Sequence, residues 1–160
     1  MASAGAAKQY IEPLALKRAD IDEHGNHLVA PGLAEGWCFS AALGWTLLDC
    51  ERPGFGIHGS TARCRYEANG CRARVNFPEQ TARIHTYGDS FTHGDQVSDG
   101  ETWQEVLAAH MQDSIENYGV GGYSVYQAYL RMLEVEARHP AEFVILNIYD
   151  DDHLRNLDPW

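Results

Sequence analysis

In the second half of the chain, short apolar runs typical of strands alternate with stretches in which apolar residues have helical spacing. Short apolar runs at 83–87, 114–118 and 143–149 predict three strands, and the last run is continuous enough to be buried on both faces. Apolar residues recur every three or four positions over 101–112 and 125–138, which predicts two helices between the strands. Because short links join strands and helices in this order, we expect right-handed crossovers and a parallel sheet.

The two predicted helices have identifiable starts and apolar faces. Ser98 or Asp99 can cap the first helix and Ser124 the second, because short polar side chains accept hydrogen bonds from the free amides at a helix start. The residues that we expect on the apolar faces are Trp103, Val106, Leu107, in part Ala109, His110, Met111, Ala128, Tyr129, Met132, Leu133 and Val135.

The first 80 residues show a different pattern, which is rich in glycine, proline and arginine after position 50. Residues 37–50 carry apolar side chains at helical spacing and indicate a packing helix, with a buried strand as the alternative because Gly44 is a poor helix former. Asn69-Gly70 is typical of a two-residue β-hairpin turn, and side chains alternate in character on both sides of it. We expect a β-hairpin here whose solvated face consists of Arg63, Arg65, Arg72 and Arg74, with contact to carboxylates or to a substrate as the alternative for these arginines.

Length and composition fit one domain with an extension: 1–80 would contain the β-hairpin, and 81–160 would form the α/β domain. The chain has 160 residues, of which 44% are hydrophobic, so it can build a core. Its net charge of −11, without clustered lysine or arginine, argues against nucleic acid or an anionic membrane as a partner. No apolar window reaches the length of a membrane span and no signal peptide is recognised, so we expect a cytoplasmic protein.

The cysteines and the first histidines do not indicate a metal site. No CxxC pair is present, so we expect free buried thiols, with a bridge between Cys64 and Cys71 across the hairpin as the alternative. His24 and His27 lie three residues apart, but no further ligands follow at fixed spacing, and exposed turn histidines are the preferred interpretation. The four cysteines are Cys38, Cys50, Cys64 and Cys71.

Three loops carry the chemically informative residues, and each follows one of the predicted strands. Gly88-Asp89-Ser90 follows the first strand, 117–122 (NYGVGG) follows the second, and 149–153 (YDDDH) follows the third. The carboxyl ends of parallel strands meet at one edge of the sheet, where open α/β sheets bind ligands. A serine, a loop with free backbone N–H groups, and an acid beside an imidazole are the parts of an acyl-transfer site. We therefore interpret Ser90 as a nucleophile.

Together these motifs resemble the first three sequence blocks of the SGNH (GDSL-type) hydrolases, over about half of the chain, 83–152. That family consists of flavodoxin-like α/β esterases, lipases, thioesterases, carbohydrate acetyl-esterases and some O-acetyltransferases. The resemblance implies a three-layer fold around a parallel sheet, with Ser90 as the nucleophile and Asp89 as the anchor of its turn. It also implies that the backbone N–H groups of Ser90 and Gly122 stabilise the oxyanion.

Two departures from the family pattern concern the third loop and the last residues of the chain. Where the family has an asparagine whose amide donates to the oxyanion, the aligned residue is Asp151, and a carboxyl group can donate only when protonated. The family's Asp-x-x-His motif, which supplies acid and base, comes after two more strands, whereas this sequence ends at Trp160. The nearer string from Asp150 to His153 offers His153 as the base, or else forms a solvated acidic loop.

A sheet that ends at its third strand has a consequence for association. We expect an α/β domain truncated after that strand, whose apolar edge would be open to self-association or to a partner. After the third strand, predicted at 143–149, the given sequence contains no further predicted strand.

The sequence supports three hypotheses about function. The first is a serine-dependent ester hydrolase or acyltransferase that forms an acyl-serine intermediate with a small-molecule, carbohydrate or lipid ester, and uses no cofactor and no metal. The second is a catalytically impaired SGNH-like module for binding or assembly, which Asp151 and the missing terminal motif favour. The third is a phosphate or nucleotide site at Gly119–Gly122, which the lack of basic residues in the loops disfavours. Asp150, Asp151 and Asp152 have the ligand type for a divalent cation, but three adjacent residues rarely converge on one ion.

Overall fold

Two short antiparallel strand pairs come first in the part of the chain that the computed structural model describes, residues 36–156. The pairs are β1 (Trp37–Ser40) with β2 (Gly44–Leu47), and β3 (Cys50–Arg52) with β4 (Ala62–Cys64). The helical interpretation of 37–50 is therefore wrong. Gly44 has a φ of +82°, a left-handed conformation that interrupts a helix and suits glycine between β1 and β2.

A three-stranded parallel sheet lies in the second half of the chain, as predicted, and its first strand is central. The strands are β5 (Ile84–Tyr87), β6 (Ile115–Asn117) and β7 (Phe143–Leu146), in the order β6-β5-β7. In the register, His85 pairs with Glu116 on one side and with Val144 on the other. The chain leaves β5 to one side to form β6 and returns to the other side to form β7. This creates a topological switch point between β5 and β7.

The helices of the α/β region begin at identifiable caps. Within residues 36–156 they are α1 (Ser90–His93), α2 (Trp103–Met111), α3 (Val125–Glu136) and α4 (Asp152–Arg155). Thr102 caps α2 in place of Ser98, because Ser98 instead caps a separate 3-10 turn over Asp99–Glu101. Ser124 caps α3 as predicted: its hydroxyl oxygen accepts from the Gln127 N–H, and the Ser124 N–H donates to Gln127 Oε1.

Alternate residues of β5 face the two long helices. Thr86 accepts a hydrogen bond from the Gln104 amide of α2 at 3.0 Å. Tyr87 points the other way and donates to Glu136 of α3 at 2.6 Å. Because neighbouring residues of a strand point to opposite faces, α2 and α3 cover opposite faces of the sheet.

Both long helices bury polar side chains where their spacing predicted apolar stripes. The buried residues of α2 are Gln104, Glu105 and Ala108, and those of α3 are Gln127, Ala128 and Arg131. Of the predicted stripes, Ala128 is buried, and Leu107, Met132 and Val135 are partly buried against core clusters, so the prediction is confirmed for these residues. It is wrong for the exposed members, which are Trp103, Val106, Ala109, His110, Met111, Tyr129 and Leu133. Strand and turn groups such as Thr86 need hydrogen-bond partners, and polar side chains of the helices occupy inward positions to supply them.

A turn replaces the predicted two-residue hairpin at 66–73. Tyr66 and Arg72 form an isolated antiparallel bridge, and the Glu67 N–H donates to the Cys71 carbonyl across a loop that contains Asn69-Gly70. On its other side, Arg72 also bridges to Asn117 at the end of β6.

Only two of the four arginines in this region are solvated. The side chains of Arg63 and Arg65 are 61% and 58% exposed, as predicted, but those of Arg72 and Arg74 are 2% and 11% exposed. The prediction of a solvated basic face is therefore wrong for Arg72 and Arg74. Arg74 pairs with Glu67 at 2.9 Å.

Arg72 is buried between this turn and the loop that follows α1. Its Nε lies 3.1 Å from Asp99 Oδ1, and its guanidinium donates to the carbonyl groups of His93, Gly94 and Val97 at 2.6, 2.9 and 2.5 Å. A buried cation is tolerated only when its charge and its donors are both satisfied. Arg72 thereby fixes the loop at 93–99 against residues before position 80.

Strand β7 forms one edge of the sheet and is more exposed than its composition predicted. Phe143, Val144 and Ile145 are 52%, 42% and 38% exposed, so the prediction of a strand buried on both faces is wrong. The opposite edge, β6, is covered by the bridge between Arg72 and Asn117. Association at the β7 edge stays a prediction. Within residues 36–156, none of the helices has the length and apolar character needed to cross a lipid bilayer.

The cysteines are free thiols, so the alternative bridge between Cys64 and Cys71 is not formed. Both of these side chains are buried, which raises the pKa of the Cys64 thiol to about 11 and keeps it protonated at neutral pH. The turn histidines predicted at positions 24 and 27 lie outside the described residues.

We expect Arg72→Ala to lower the free energy of unfolding by about 3–5 kcal/mol, because Asp99 loses its buried partner and keeps only Arg65, and three carbonyl groups lose their donor. Arg63→Ala is the matched control: its ion pair with Glu51 is exposed, and its loss should cost at most about 1 kcal/mol. Urea unfolding followed by circular dichroism measures both. The double variant Arg72→Met with Asp99→Asn should recover part of the loss; equal losses for Arg72→Ala and Arg63→Ala would contradict the role given to Arg72.

Candidate active site

A tight turn at the end of β5 presents Ser90 at the carboxyl edge of the sheet. Asp89 is the N-cap of α1, and its Oδ1 accepts from the Phe91 N–H at 3.0 Å. Ser90 is therefore the first residue of a helix directly after the central strand, and it is partly exposed. Gly88 leaves no room for a side chain, because a Cβ there would lie 2.2 Å from Thr92 Oγ1. The strand and the helix can meet this closely only at a glycine.

Asn117, the last residue of β6, holds the far end of α1. Its Nδ2 donates to the carbonyl groups of Thr92 and His93 at 3.1 and 3.2 Å, and its Oδ1 accepts from the Gly119 N–H at 3.0 Å. On α2, Gln104 also donates to the Thr92 carbonyl, at 2.8 Å. These contacts tie the serine turn to the strand beside it and to the helix behind it.

The glycine loop after β6 packs directly on the serine turn. The Val120 N–H donates to the Gly88 carbonyl at 3.0 Å, and a Cβ on Gly119 would lie 2.4 Å from the backbone N of His93. Gly122 is exposed and has a φ of +79°, a backbone conformation that is strained for any residue with a side chain. The Trp45 indole N–H donates to the Gly121 carbonyl at 3.3 Å, so the β1–β2 hairpin supports this loop from outside.

The loop after β7 reaches the same edge. The Asn147 N–H donates to the Tyr87 carbonyl at 2.8 Å, and the Asn147 amide donates to Thr92 Oγ1 at 3.2 Å. The rings of Phe91 and Tyr149 lie 5.0 Å apart, and both are largely exposed. The loops after all three strands therefore converge on α1.

Two buried carboxyl groups and one arginine lie beside Ser90. Arg155 Nη1 is 3.4 Å from Asp89 Oδ2 and also contacts Asp152 Oδ1. Both carboxyl groups are almost fully buried. Burial, together with the neighbouring Asp89 charge, raises the pKa of the Asp152 carboxyl. The Arg155 guanidinium offsets the repulsion between the Asp89 and Asp152 carboxyl groups. It also links α4 to the turn that carries Ser90.

His93 lies on the same short helix as Ser90 but is committed elsewhere. Its Nδ1 is 2.5 Å from Asp95 Oδ1, and its Nε2 is 2.6 Å from the Tyr66 hydroxyl. Burial lowers the pKa of the imidazole and favours its neutral form. A neutral ring that donates from Nδ1 to Asp95 accepts at Nε2 from Tyr66. With both nitrogen atoms engaged, His93 is not available to take a proton from Ser90.

The four residues predicted for catalysis fall into two pairs. Ser90 and Gly122 lie in the serine turn and in the glycine loop that packs on it, and both are accessible. Asp151 and His153 lie on the exposed side of the loop at the start of α4. Within residues 36–156, no histidine side chain forms a hydrogen bond with the Ser90 hydroxyl.

The carboxyl groups after β7 do not converge on a common point. Asp150 and Asp151 are exposed, whereas Asp152 is buried against Asp89 and Arg155. This arrangement gives no support to the cation site considered for the three adjacent aspartates. In the described residues, a set of three closely spaced donor atoms does occur on the α3 face of the sheet, at His85, Glu116 and His139.

Several residues of this edge were missed by reasoning from the sequence. The side chains of Asn117 and Asn147 both contact α1 because their strands lie on either side of β5. No local sequence pattern indicates this strand order. Asp152 and Arg155 did leave a signal, since residues three apart on a helix are neighbours and their charges are opposite.

Comparison with known proteins gives a limited set of matches. No protein-family model and no curated protein matches this sequence. Among solved structures, the chain is similar to the crystal structure of AlinE4, described as an SGNH-hydrolase family esterase, and to a mutant of that esterase. Each match has 26% sequence identity and a TM-score of 0.43, and covers 50% of this chain and 46% of the other. The chain thus spans about half the length of the solved structures that it matches. Membership of this family is a proposal, which rests on the three motifs and the geometry of their loops.

We expect Gly119→Ala to lower the free energy of unfolding by about 1–3 kcal/mol, because the added Cβ would displace the backbone of α1. Gly100→Ala is the control: its Cβ would make an ordinary contact at 3.4 Å with Val75, so we expect a change within about 1 kcal/mol. Urea unfolding of the two variants measures the difference. Equal stability of both variants would show that the glycine loop does not press on α1.

Proposed function

We propose that this chain is a serine-dependent ester hydrolase or acyltransferase of the SGNH type, with a flavodoxin-like arrangement of its parallel strands and helices. The observation that carries the proposal is the position of Ser90. It is partly exposed at the carboxyl end of the central strand, and the loops after β6 and β7 flank it. Ligand crevices of open α/β sheets form at such a switch point.

In the proposed reaction, a base takes the proton of the Ser90 hydroxyl while Oγ attacks the carbonyl carbon of an ester. The carbonyl oxygen becomes an oxyanion, which accepts hydrogen bonds from the backbone N–H groups of Ser90 and Gly122. Collapse of the intermediate breaks the bond to the alcohol, which leaves with the proton from the base. The acyl group then passes to water in hydrolysis, or to a second alcohol in acyl transfer.

The rigidity of the serine turn supports this proposal. Asp89 caps α1, Asn117 holds its last carbonyl groups, and Arg72 fixes the loop that comes after it. A nucleophile that is held before the substrate arrives loses little further freedom in the transition state. None of these side chains needs to touch the substrate to have this effect.

Exposed aromatic rings next to Ser90 support an ester with an apolar or sugar component. Phe91, the residue after Ser90, is 61% exposed, and its ring lies 5.0 Å from the ring of Tyr149, which is 42% exposed. Aromatic faces bind both acyl chains and the apolar faces of sugar rings. The proposed substrate class is therefore a carbohydrate or lipid ester, or a smaller ester of similar character.

We expect a fluorophosphonate probe to label Ser90, because the probe reacts with an activated serine hydroxyl and mimics the tetrahedral intermediate. Ser90→Ala should lose both labelling and hydrolysis of p-nitrophenyl acetate. Ser60→Ala, at an exposed serine in the turn before β4, is the matched control and should retain both. Mass spectrometry of the labelled peptide identifies the site. A folded sample in which Ser90 stays unlabelled, or in which Ser90→Ala hydrolyses the ester at the original rate, would contradict the proposal.

We assign the role of base to His153, an exposed histidine in the first turn of α4, next to the third loop. His153→Ala should then lower kcat/KM by about 10²–10⁴-fold, the usual contribution of a general base. His110→Ala, an exposed histidine on α2, should leave kcat/KM unchanged. If both variants keep full activity while Ser90→Ala is inactive, His153 is not the base and the nucleophile assignment survives.

A binding or assembly module is the second candidate function, and one observation favours it. Within the described part of the chain, the Ser90 hydroxyl has no histidine partner, so the site lacks a preformed base. Such a module would bind an acyl or glycan ligand in the same crevice with the same affinity after Ser90→Ala. Turnover that depends on Ser90 eliminates this candidate.

A further inference from the structure

Three ligand-type side chains from separate parts of the chain meet on the α3 face of the sheet. His85 lies in β5, Glu116 is its register partner in β6, and His139 follows the end of α3. One donor atom from each lies within 4.8 Å of the others. Parallel pairing brings the first two together, and the end of α3 brings the third across them. This cluster is distinct from the Ser90 edge, because His85 faces α3 from within β5.

The spacing of the donor atoms fits a small tetrahedral ion. His85 Nε2 is 3.0 Å and His139 Nε2 is 3.7 Å from Glu116 Oε2. In a tetrahedral zinc site with bonds of about 2.0–2.1 Å, neighbouring ligand atoms lie roughly 3.4 Å apart. These two distances lie on either side of that value, and all three donor atoms lie within 4.8 Å of one another, so an ion could enter after the side chains adjust.

One of these donor atoms is unsatisfied. His85 Nε2 is fully buried and has no hydrogen-bond partner of acceptable geometry in the described residues. Glu116 Oε2 is close, at 3.0 Å, but it does not lie in the direction that a ring N–H would need. Buried polar atoms are rarely left without a partner in native proteins. A cation bound by both Nε2 and the carboxylate would give Nε2 a partner.

The outer contacts of the cluster are those expected around metal ligands. His85 Nδ1 lies 2.8 Å from Glu136 Oε1, which is the carboxylate–histidine arrangement that orients a metal-binding imidazole. The Tyr118 hydroxyl donates to Glu116 Oε2 at 2.6 Å, and the Asn69 amide donates to Glu116 Oε1 at 3.3 Å. Both of the buried ligands are thus held in position by hydrogen bonds from other elements.

We propose that His85, Glu116 and His139 bind a divalent transition-metal ion, with Zn²⁺ as the best match. Two imidazoles and one carboxylate suit zinc, cobalt or nickel, whereas calcium and magnesium prefer sites made entirely of oxygen ligands. The His139 side chain is 45% exposed, so the fourth coordination position opens toward solvent and can hold water. The proposal does not depend on the role of Ser90.

The test is metal binding by the full chain after treatment with a chelator and with its thiols kept reduced. Isothermal titration with Zn²⁺ should give one site, and Co²⁺ should give the visible absorption bands of a tetrahedral complex. His139→Gln removes a ligand that is partly exposed, so this variant should fold and lose the site. Glu136→Gln removes only the orienting carboxylate and should weaken binding by about 10–100-fold. His110→Gln, at an exposed histidine outside the cluster, should bind like the original chain.

Three results would overturn the proposal. The first is no binding of either ion, which would mean that a proton on His85 joins Glu116 and Glu136 in place of a metal. The second is unchanged affinity in His139→Gln together with loss of the site in a His24→Gln, His27→Gln double variant. The third is a strong sulfur-to-cobalt charge-transfer band, which would assign the ion to the cysteines. A zinc-dependent rise in Tm that is absent from His139→Gln would support the site without any measurement of activity.

Discussion

The structure depends on a buried arginine. The Arg72 guanidinium meets Asp99 and the carbonyl groups of residues 93, 94 and 97, and its own backbone N–H donates to the Asn117 carbonyl. One residue therefore holds the loop after α1, the 3-10 turn beyond that loop, and the outer edge of β6. Removing a charge from water is costly, and this cost is recovered only when all of these partners are in place. The loop around the candidate nucleophile is consequently fixed by a residue that precedes the α/β region.

The interior around the sheet is unusually polar, and this determines how the helices pack. Gln104 of α2 bridges Thr86 in β5 and the Thr92 carbonyl in α1. On the other face, Tyr87 and Glu136 join β5 to α3 through a hydrogen bond. Since the inward positions of the helices hold polar side chains, many of their apolar side chains lie outside. Hydrogen bonds thus specify the arrangement together with the apolar clusters, because each buried polar group tolerates few alternative positions.

The sequence predicted the order of the elements well because hydrophobic period and end signals are local. The three strands, both long helices and the serine turn follow from such signals, and Ser124 starts α3 as its neighbours suggest. The inward faces of the helices could not be predicted, because their side chains form hydrogen bonds with partners such as Thr86 that are distant in the chain. The same limit applies to the site: Ser90 is visible from its turn, whereas the contact of Arg155 with Asp89 and the support from Asn117 depend on how the loops meet. His85, Glu116 and His139 are more than 20 positions apart, and only the strand register brings them together.

The β1–β2 hairpin lies on the glycine loop and on the start of α3. The Tyr123 hydroxyl donates to the Trp45 carbonyl at 2.5 Å, and the Gln127 amide donates to the Leu43 carbonyl at 2.7 Å. Leu43 and Leu47 share a core cluster with Val120 and Tyr123. A recombination event that joined another sequence at position 81 would remove the β1–β2 hairpin. Val120 and Tyr123 would then be exposed to water. The hairpin and the α/β region are therefore expected to be inherited as one unit, and natural recombination breakpoints should avoid the segment between them.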